Sequence, residues 1–300
     1  MSATLTTLAP GLCTLVVDRG RPRTRRLGVP VGGAADRFAL AIGNGLVGND
    51  PEAAALEVCL AGPTLAADAD LACVLFGAPF EMRTDRRPLT AGTTFTLHKG
   101  ETLTVGGTAE GSRAYLCVRG GILTPMILDS RSSLAPLKAG DKLPCRAGAI
   151  APRFIDLPRE EDSTLRVLRG GQADWFPAGA LAGRSFAVTP ASSRMGVRLR
   201  GEPLPVPQRE MTSEPVCPGT VQVTRDGQCI ILGADGQTIG GYPKVAHVID
   251  ADLDRVGQLR PGEAVSFEYV SGEEAEALSR QRSAALREWL LRLRTLAPSG

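Results

Sequence analysis

Short runs of alternating or continuous apolar residues dominate this chain, and helical periodicity is confined to two stretches. In the N-terminal half, 12–17 and 113–118 read as strands, and 71–76 is a continuous apolar run of the kind buried on both faces of a sheet. Residues 93–97 and 101–105 alternate and are joined by His98-Lys99-Gly100, which predicts a hairpin. A second β-rich section begins near 165–168 and continues through 185–189, 197–199, 220–223, 229–232, 245–249 and 264–270. Within it, Asp226-Gly227 predicts a tight turn between two strands. The first helical stretch is 37–47, where Phe38, Ile42 and Leu46 recur every four residues, with Asp36 as N-cap and Gly48 as stop. The second is 273–294. A capping box, Ser271-Gly-Glu-Glu274, opens it, and Leu278, Ala285, Leu286, Trp289, Leu290 and Leu293 form one stripe.

Between the two sections, 151–163 is rich in proline and acids and poor in apolar residues, so it reads as a linker. The pattern thus predicts a mostly β protein with an N-terminal unit at 1–155, a second unit at 163–272, and a helix and tail at 273–300. A weak repeat recurs in both sections, which either relates the two units or reflects a turn common between strands. Lys99-Gly-Glu101, Lys138-Ala-Gly-Asp141 and Arg260-Pro-Gly-Glu263 each set a basic residue and a glycine before an acid and a strand.

Composition narrows the function classes. Three hundred residues with 43% hydrophobic and only 4% aromatic residues imply a substantial aliphatic core. The abundance of Gly (35) and Pro (22) fits frequent turns. A net charge of +2 gives no footprint for nucleic acid or an anionic membrane surface. The most apolar window, 71–80, is too short to span a bilayer, and no signal peptide is evident. Seven cysteines without a Cys-x-x-Cys pair read as reduced thiols of a cytoplasmic protein, with Cys73, Cys117 and Cys229 inside apolar runs. With only His98 and His247 in the chain, no metal site is expected.

Candidate chemistry concentrates in 235–253, which holds Gln237, Thr238, Gly240-Gly241, Tyr242, Pro243 and Lys244 before an apolar run. The diglycine permits close backbone approach or positive φ, and Pro243 stiffens the loop. Lys244 is either an ammonium at the mouth of a strand, facing a developing oxyanion, or a solvated hairpin residue. Arg194, Glu214 and Gln222 join it as polar loop residues able to orient an amide or urea-like group. Glu214 is either a general base or the partner of Arg194 in a structural ion pair. Asp36 is either a helix cap or part of an anion site at a glycine-rich helix start, and Arg131 either a carboxylate clamp or a turn residue. The basic loop at 19–26 reads as a solvated face or an anion-facing rim. The sequence shows no Gly-x-Ser-x-Gly motif, no Walker lysine loop, no Cys/His pair and no zinc spacing, so nucleophilic catalysis by a triad is not expected.

The run Asp235-x-Gln-Thr-x-Gly-Gly-Tyr-Pro resembles the signature of the biotin-dependent carboxyltransferase family, also called allophanate hydrolase subunit 2, and is most like the branch formed by the C subunits of 5-oxoprolinases. Other blocks match in order. They are Gly28-Val-Pro-Val-Gly-Gly-Ala-Ala-Asp36, Leu46-Val-Gly-Asn49, Ala55-Leu-Glu57, Arg113-Ala-Tyr-Leu-Cys-Val-Arg-Gly-Gly121 and Ser130-Arg131-Ser132. Then come Gln172-x-Asp174-x-Phe176, Ser193-Arg-Met-Gly196 and Ser213-Glu-Pro-Val-x-Pro-Gly219. The chain departs from the family pattern at Gly32 and Ala35, where Ser and Met are usual, and in a shortened loop at 134–137.

The resemblance implies two β-barrel-like units, the second cyclophilin-like. It implies work with a cyclophilin-like 5-oxoprolinase partner of the B type and a third hydrolase subunit, using ATP through the complex to open the lactam 5-oxoproline to glutamate. Within that reading Lys244, Glu214 and Tyr242 are the catalytic candidates. Gln237, Thr238, Gly240, Gly241, Arg194, Gln222, Arg131 and Asp36 are the substrate-binding ones. Two other classes stay open. One is the carboxyltransferase part of a biotin-dependent urea or amide carboxylase; the carrier lysine between two methionines is missing from this chain. The other is a non-catalytic regulator that binds the cyclophilin-like partner.

Overall fold

The computed structural model describes residues 2–133, 135–155, 163–206 and 209–295. Most of the expected linker, 156–162, lies outside the described residues. The chain divides into two compact units. One comprises Met1–Arg21, Asp36–Pro158 and Ala285–Gly300; the other comprises Pro22–Ala35 and Arg159–Ala284. The segment Pro22–Ala35, which lies early in the sequence, therefore groups with the second unit.

The first unit holds β1 (Ser2–Ala9), β2 (Cys13–Val17), β3 (Ala55–Cys59), β4 (Thr64–Ala67), β5 (Leu71–Gly77), β6 (Met82–Thr84), β7 (Pro88–Leu89), β8 (Phe95–Leu97), β9 (Thr102–Val105), β10 (Arg113–Val118) and β11 (Lys142–Arg146). They form two sheets, ordered β11-β1-β4-β9-β6-β7 and β2-β3-β10-β5-β8. Alternate residues of both sheets, among them Leu5, Leu65 and Leu103 from one and Leu56, Leu75 and Leu116 from the other, meet in one apolar core. Helix α1 (Arg37–Val47) packs against β5 and β10, so those strands are buried on both faces, as their continuous apolar runs require.

The ends of α1 follow from its caps. The Asp36 carboxylate accepts the Ala39 backbone N–H at 2.8 Å, and Gly48 adopts φ 79° after the last turn. Asp36 is thus a helix cap, and its own backbone N–H donates to the buried Tyr115 hydroxyl at 2.7 Å.

The hairpin expected at His98-Lys99-Gly100 is not formed. β8 pairs with β5 in one sheet and β9 with β4 and β6 in the other, so the turn is a corner that carries the chain between sheets. It is fixed by Asp70, which accepts the Lys99 N–H at 2.8 Å, and by buried Glu101, which accepts the His98 N–H at 2.8 Å. Alternation alone does not distinguish a hairpin from such a corner, because both keep the same face inward.

The same turn serves at all three copies of the weak repeat. The acid side chain accepts the backbone N–H three residues earlier in His98/Glu101, Lys138/Asp141 and Arg260/Glu263, at 2.8, 2.8 and 2.9 Å. The glycine before each acid has φ of 80°, 91° and 91°. The repeat is therefore a local turn device.

The second unit holds β12 (Thr164–Arg169), β13 (Ser185–Val188), β14 (Gly196–Arg200), β15 (Glu214–Pro215), β16 (Thr220–Val223), β17 (Cys229–Leu232), β18 (Ile239–Gly240), β19 (Lys244–Val248) and β20 (Ala264–Tyr269). Seven of these close a barrel in the order β12-β19-β16-β17-β14-β13-β20, sealed by parallel pairing of β12 with β20. Strict alternation fills it: Leu165 and Val167, Phe186 and Val188, Val197 and Leu199, Val221 and Val223, Val265 and Phe267 point inward strand by strand. β16 and β17 form the hairpin expected at Asp226-Gly227. β15 and β18 pair as a small separate ribbon.

Helix α2 (Leu253–Gln258) precedes β20, and α3 (Gly272–Thr295) ends the described chain. The expected capping box is formed: Ser271 N–H donates to Glu274 at 2.8 Å, and Glu274 N–H donates to the Ser271 hydroxyl at 3.2 Å. Residues of α3 up to Ala284 group with the second unit and the rest with the first, where Leu290 and Leu293 lie against Gly45 of α1. Among the described residues, no helix is long and apolar enough to cross a membrane, and no group of three or more His, Cys, Asp or Glu side chains is arranged to hold a metal ion.

Candidate functional site

The second unit gathers most of the candidate residues around the start of β19. β16 pairs with β19 through a register shift: Val221 faces Ala246, while Gln222 faces Lys244. The extra residue is Val245, and both Val245 and Ala246 are buried, which breaks the alternation of this strand. A bulge of this kind re-aims the side chain beside it, here Lys244. The other edge of the bulge is covered by the loop after β12. Gly170 N–H donates to the Val245 carbonyl and Gln172 N–H to the Lys244 carbonyl, both at 3.0 Å. That approach requires glycine at 170, since a Cβ there would lie 2.2 Å from the Lys244 carbonyl oxygen.

The Lys244 ammonium forms an ion pair with Glu214, which β15 presents. Gln172 serves both partners: its amide N–H donates to Glu214 at 3.3 Å, and its amide oxygen accepts the Lys244 backbone N–H at 3.1 Å. The Lys244 ammonium and then the Gln172 amide hold the Glu214 carboxyl below the ordinary carboxylate range. Glu214 is consequently an anion at neutral pH. Its pairing contributes stability that is complete above the unfolded-state value and is lost as pH falls through the lowered one. The Lys244 side chain is only 11% exposed and that of Glu214 46%, so Lys244 lies at the start of a strand but is not a solvated hairpin residue.

The loop before β19 is pinned to the loop bearing Glu214. Glu214 faces Gly240 and Pro215 faces Ile239 in the ribbon, and Val216 N–H donates to the Thr238 carbonyl at 3.0 Å. The buried Gln222 amide donates to the Tyr242 carbonyl at 3.5 Å. A Cβ at Gly240 would lie 2.5 Å from the Gln222 amide nitrogen and 2.8 Å from that of Gln237. Gly240 is therefore the member of the diglycine that allows close approach; neither glycine is among those with positive φ. Gly240→Ala should lower the stability of this unit by about 1–3 kcal/mol, because the buried Gln222 amide must move to admit the methyl group. Urea unfolding midpoints compared with wild type would check this, and an unchanged midpoint would mean the three residues repack freely.

The remaining candidates divide clearly. Tyr242 is 37% exposed beside this cluster, Gln237 is exposed, Thr238 is half-buried and Gly241 flanks Ser213. Arg194 does not pair with Glu214. It grips Asp235 through two hydrogen bonds of 2.6 and 2.9 Å and donates to the Gly33 carbonyl at 2.6 Å. It thereby ties the glycine-rich stretch 28–33 to the 233–236 loop, where Gly32 N–H also donates to the Ala234 carbonyl at 2.9 Å. Asp36 and Arg131 belong to the first unit. The backbone N–H of Arg131 donates to Asp18 at 2.6 Å, and its guanidinium donates to the Thr124 carbonyl. Gln172 is a site residue that sequence reasoning missed. Its only sequence signal is the Gln172-x-Asp174-x-Phe176 block, which says nothing of a contact 72 residues away.

A cation, its paired anion and several amides, held on strands and on the loops bonded to them, can orient a planar amide-like group and stabilise negative charge on its oxygen. Comparison with known proteins bears on which group. The family model described as carboxyltransferase domain, subdomain A and B, matches residues 27–269. A Haemophilus influenzae protein named as the C subunit of 5-oxoprolinase is 36% identical over 287 residues, covering 89% of this chain and 91% of that protein. The protein of the same name from Escherichia coli is 35% identical over 283 residues, covering 88% and 91%. The crystal structure of the Kluyveromyces lactis urea carboxylase is similar with a TM-score of 0.85 at 28% identity. That match covers 95% of this chain but only 29% of the enzyme.

Proposed function

Since this chain belongs to the carboxyltransferase-domain family, we propose that it is a subunit of an ATP-dependent 5-oxoprolinase that opens the lactam 5-oxoproline to glutamate. The observation that carries this reading is its 36% identity to a protein named as the C subunit of 5-oxoprolinase, over 91% of that protein's length. The lactam is a planar amide, and the cluster at β19 has the groups to hold one. The side-chain amides of Gln222 and Gln237, with the Gly240-Gly241 backbone, orient it. The Lys244 ammonium stabilises the oxyanion that forms when the carbonyl is attacked. Glu214 pairs with Lys244 and fixes its ammonium in place. Its lowered pKa makes it a poor proton acceptor, so positioning suits it better than general-base work. Tyr242, partly exposed at the rim, supplies a phenol toward the partner or the substrate.

ATP is a co-substrate of the complex in this reading. The chain has no Walker-type phosphate loop, so none of the residues described here is given a role in binding its phosphates, and ATP acts through the assembled complex. The partners in that complex are a cyclophilin-like subunit and a third hydrolase subunit.

A second reading, carboxyl transfer from carboxybiotin to urea, is favoured by the likeness to urea carboxylase. Co-expression with the cyclophilin-like and hydrolase subunits, followed by assay of glutamate release from 5-oxoproline with ATP, separates the two. The isolated chain should be inactive and the assembled complex active. Full activity from the chain alone, or assembly without glutamate release but with urea carboxylation, would reject the proposal.

A further inference from the structure

One cluster in the second unit lies outside the machinery just described. Cys217 and His247 are 30 residues apart in sequence, and pairing of β16 with β19 brings them together. The Cys217 thiol lies 3.8 Å from His247 Nδ1 and 3.6 Å from the Thr220 hydroxyl, which is itself 3.5 Å from the same ring nitrogen. The Cys217 backbone N–H donates to the Thr220 hydroxyl at 3.2 Å, which fixes the sulfur toward the ring. A Cys/His pair that sequence spacing does not reveal is thus present, and both Cys217 and His247 are only half-buried.

The other thiols of the two cores contrast with it. Burial pushes those of Cys145 and Cys229 up to about 12 and raises those of Cys73 and Cys117, so none of the four is a nucleophile near neutral pH. The His247 contact, aided by the Thr220 hydroxyl and the charge of Arg25, brings Cys217 down to about 7 against the opposing effect of burial.

We propose that Cys217 is a nucleophilic thiol, activated by His247, that exchanges with small aliphatic disulfides to form a mixed disulfide on this loop. The Cys217 sulfur attacks one sulfur of the small disulfide, and the new S–S bond forms as the old one breaks. Cys217 is oxidised, one half of the reagent is reduced, and the departing thiolate takes up the proton that Cys217 released. An attacking thiol whose pKa lies near ambient pH is the best placed for this exchange. Cys217 lies between Glu214 of β15 and Gln222 of β16, so the adduct adds bulk to the loop that positions Lys244. The site itself does not depend on the proposed lactam chemistry.

The test uses the full chain and cystamine in thiol-free buffer, with adducts followed by intact mass and peptide mapping from about pH 6 to about pH 9. The first adduct should be on Cys217, absent in Cys217→Ser, with a rate half-maximal near pH 7 in the wild-type protein. His247→Asn should move that midpoint toward the ordinary thiol value of about 8.5 and slow exchange at about pH 6.5 roughly fivefold, part of the lost thiolate being offset by greater intrinsic nucleophilicity. A first adduct on another cysteine, or a wild-type midpoint near the ordinary thiol value, would overturn the proposal. The wild-type profile decides the matter even where the His247 variant does not fold.

Discussion

Replacing Asp252 by alanine should destabilise the second unit by about 3–5 kcal/mol, the usual cost of removing one partner from a buried charge pair. Asp252 is fully buried just before α2. Its carboxylate accepts the Arg166 backbone N–H at 2.8 Å and the Arg166 guanidinium at 3.0 and 2.5 Å, with Arg255 at 3.6 Å. Arg166 lies on β12, one of the two strands whose parallel pairing closes the barrel. Alanine would leave a guanidinium that is only 26% exposed without this acceptor, together with a strand N–H. Urea unfolding followed by the fluorescence of Trp175, in the same unit, would measure the loss. A shift under about 1 kcal/mol would mean that water reaches Arg166 readily.

Lys244→Met should lower turnover of the assembled complex by about 100-fold, the scale of losing one oxyanion donor. The fold should change little, because methionine keeps the packed stem and the freed Glu214 carboxylate, 46% exposed, is solvated in place. Glu214→Ala should behave differently. It leaves the Lys244 ammonium, 11% exposed, without its anion, so the melting temperature should fall further than for Lys244→Met. Thermal unfolding of both variants beside turnover of the complexes checks the pair. Equal losses of turnover and stability in Lys244→Met would assign the lysine to structure.

Much of this was legible in the sequence, for reasons that differ by element. Helix α1 carried its period, its cap and its glycine stop in one short window, and the structure has it at Arg37–Val47. The alternating runs of the second section became the inward rows of a closed barrel because period two survives any strand order. Partners distant in sequence were not legible. Lys244 with Glu214, Arg194 with Asp235, and Cys217 with His247 lie 30, 41 and 30 residues apart, and the strand and loop arrangement of the second unit decides those meetings. The bulge at Val245 was likewise hidden, since a run such as 245–249, apolar at four of its five positions, gives no clear phase from which a register shift can be read. The family resemblance included the block at Gln172 but gave no sign of its contacts with Lys244 and Glu214, which depend on the Gly170 approach.

The charge-reversed pair Lys244→Glu with Glu214→Lys tests most directly whether this ion pair serves chemistry or only the fold. The double variant keeps one cation and one anion in contact, so its melting temperature should recover toward wild type relative to either single change. The ammonium then extends from β15 instead of the bulged start of β19, so it no longer holds the position and direction that Lys244 gives it. Turnover of 5-oxoproline by the assembled complex should therefore stay at least about 100-fold below wild type. Recovery of turnover in parallel with stability would contradict the role assigned to Lys244.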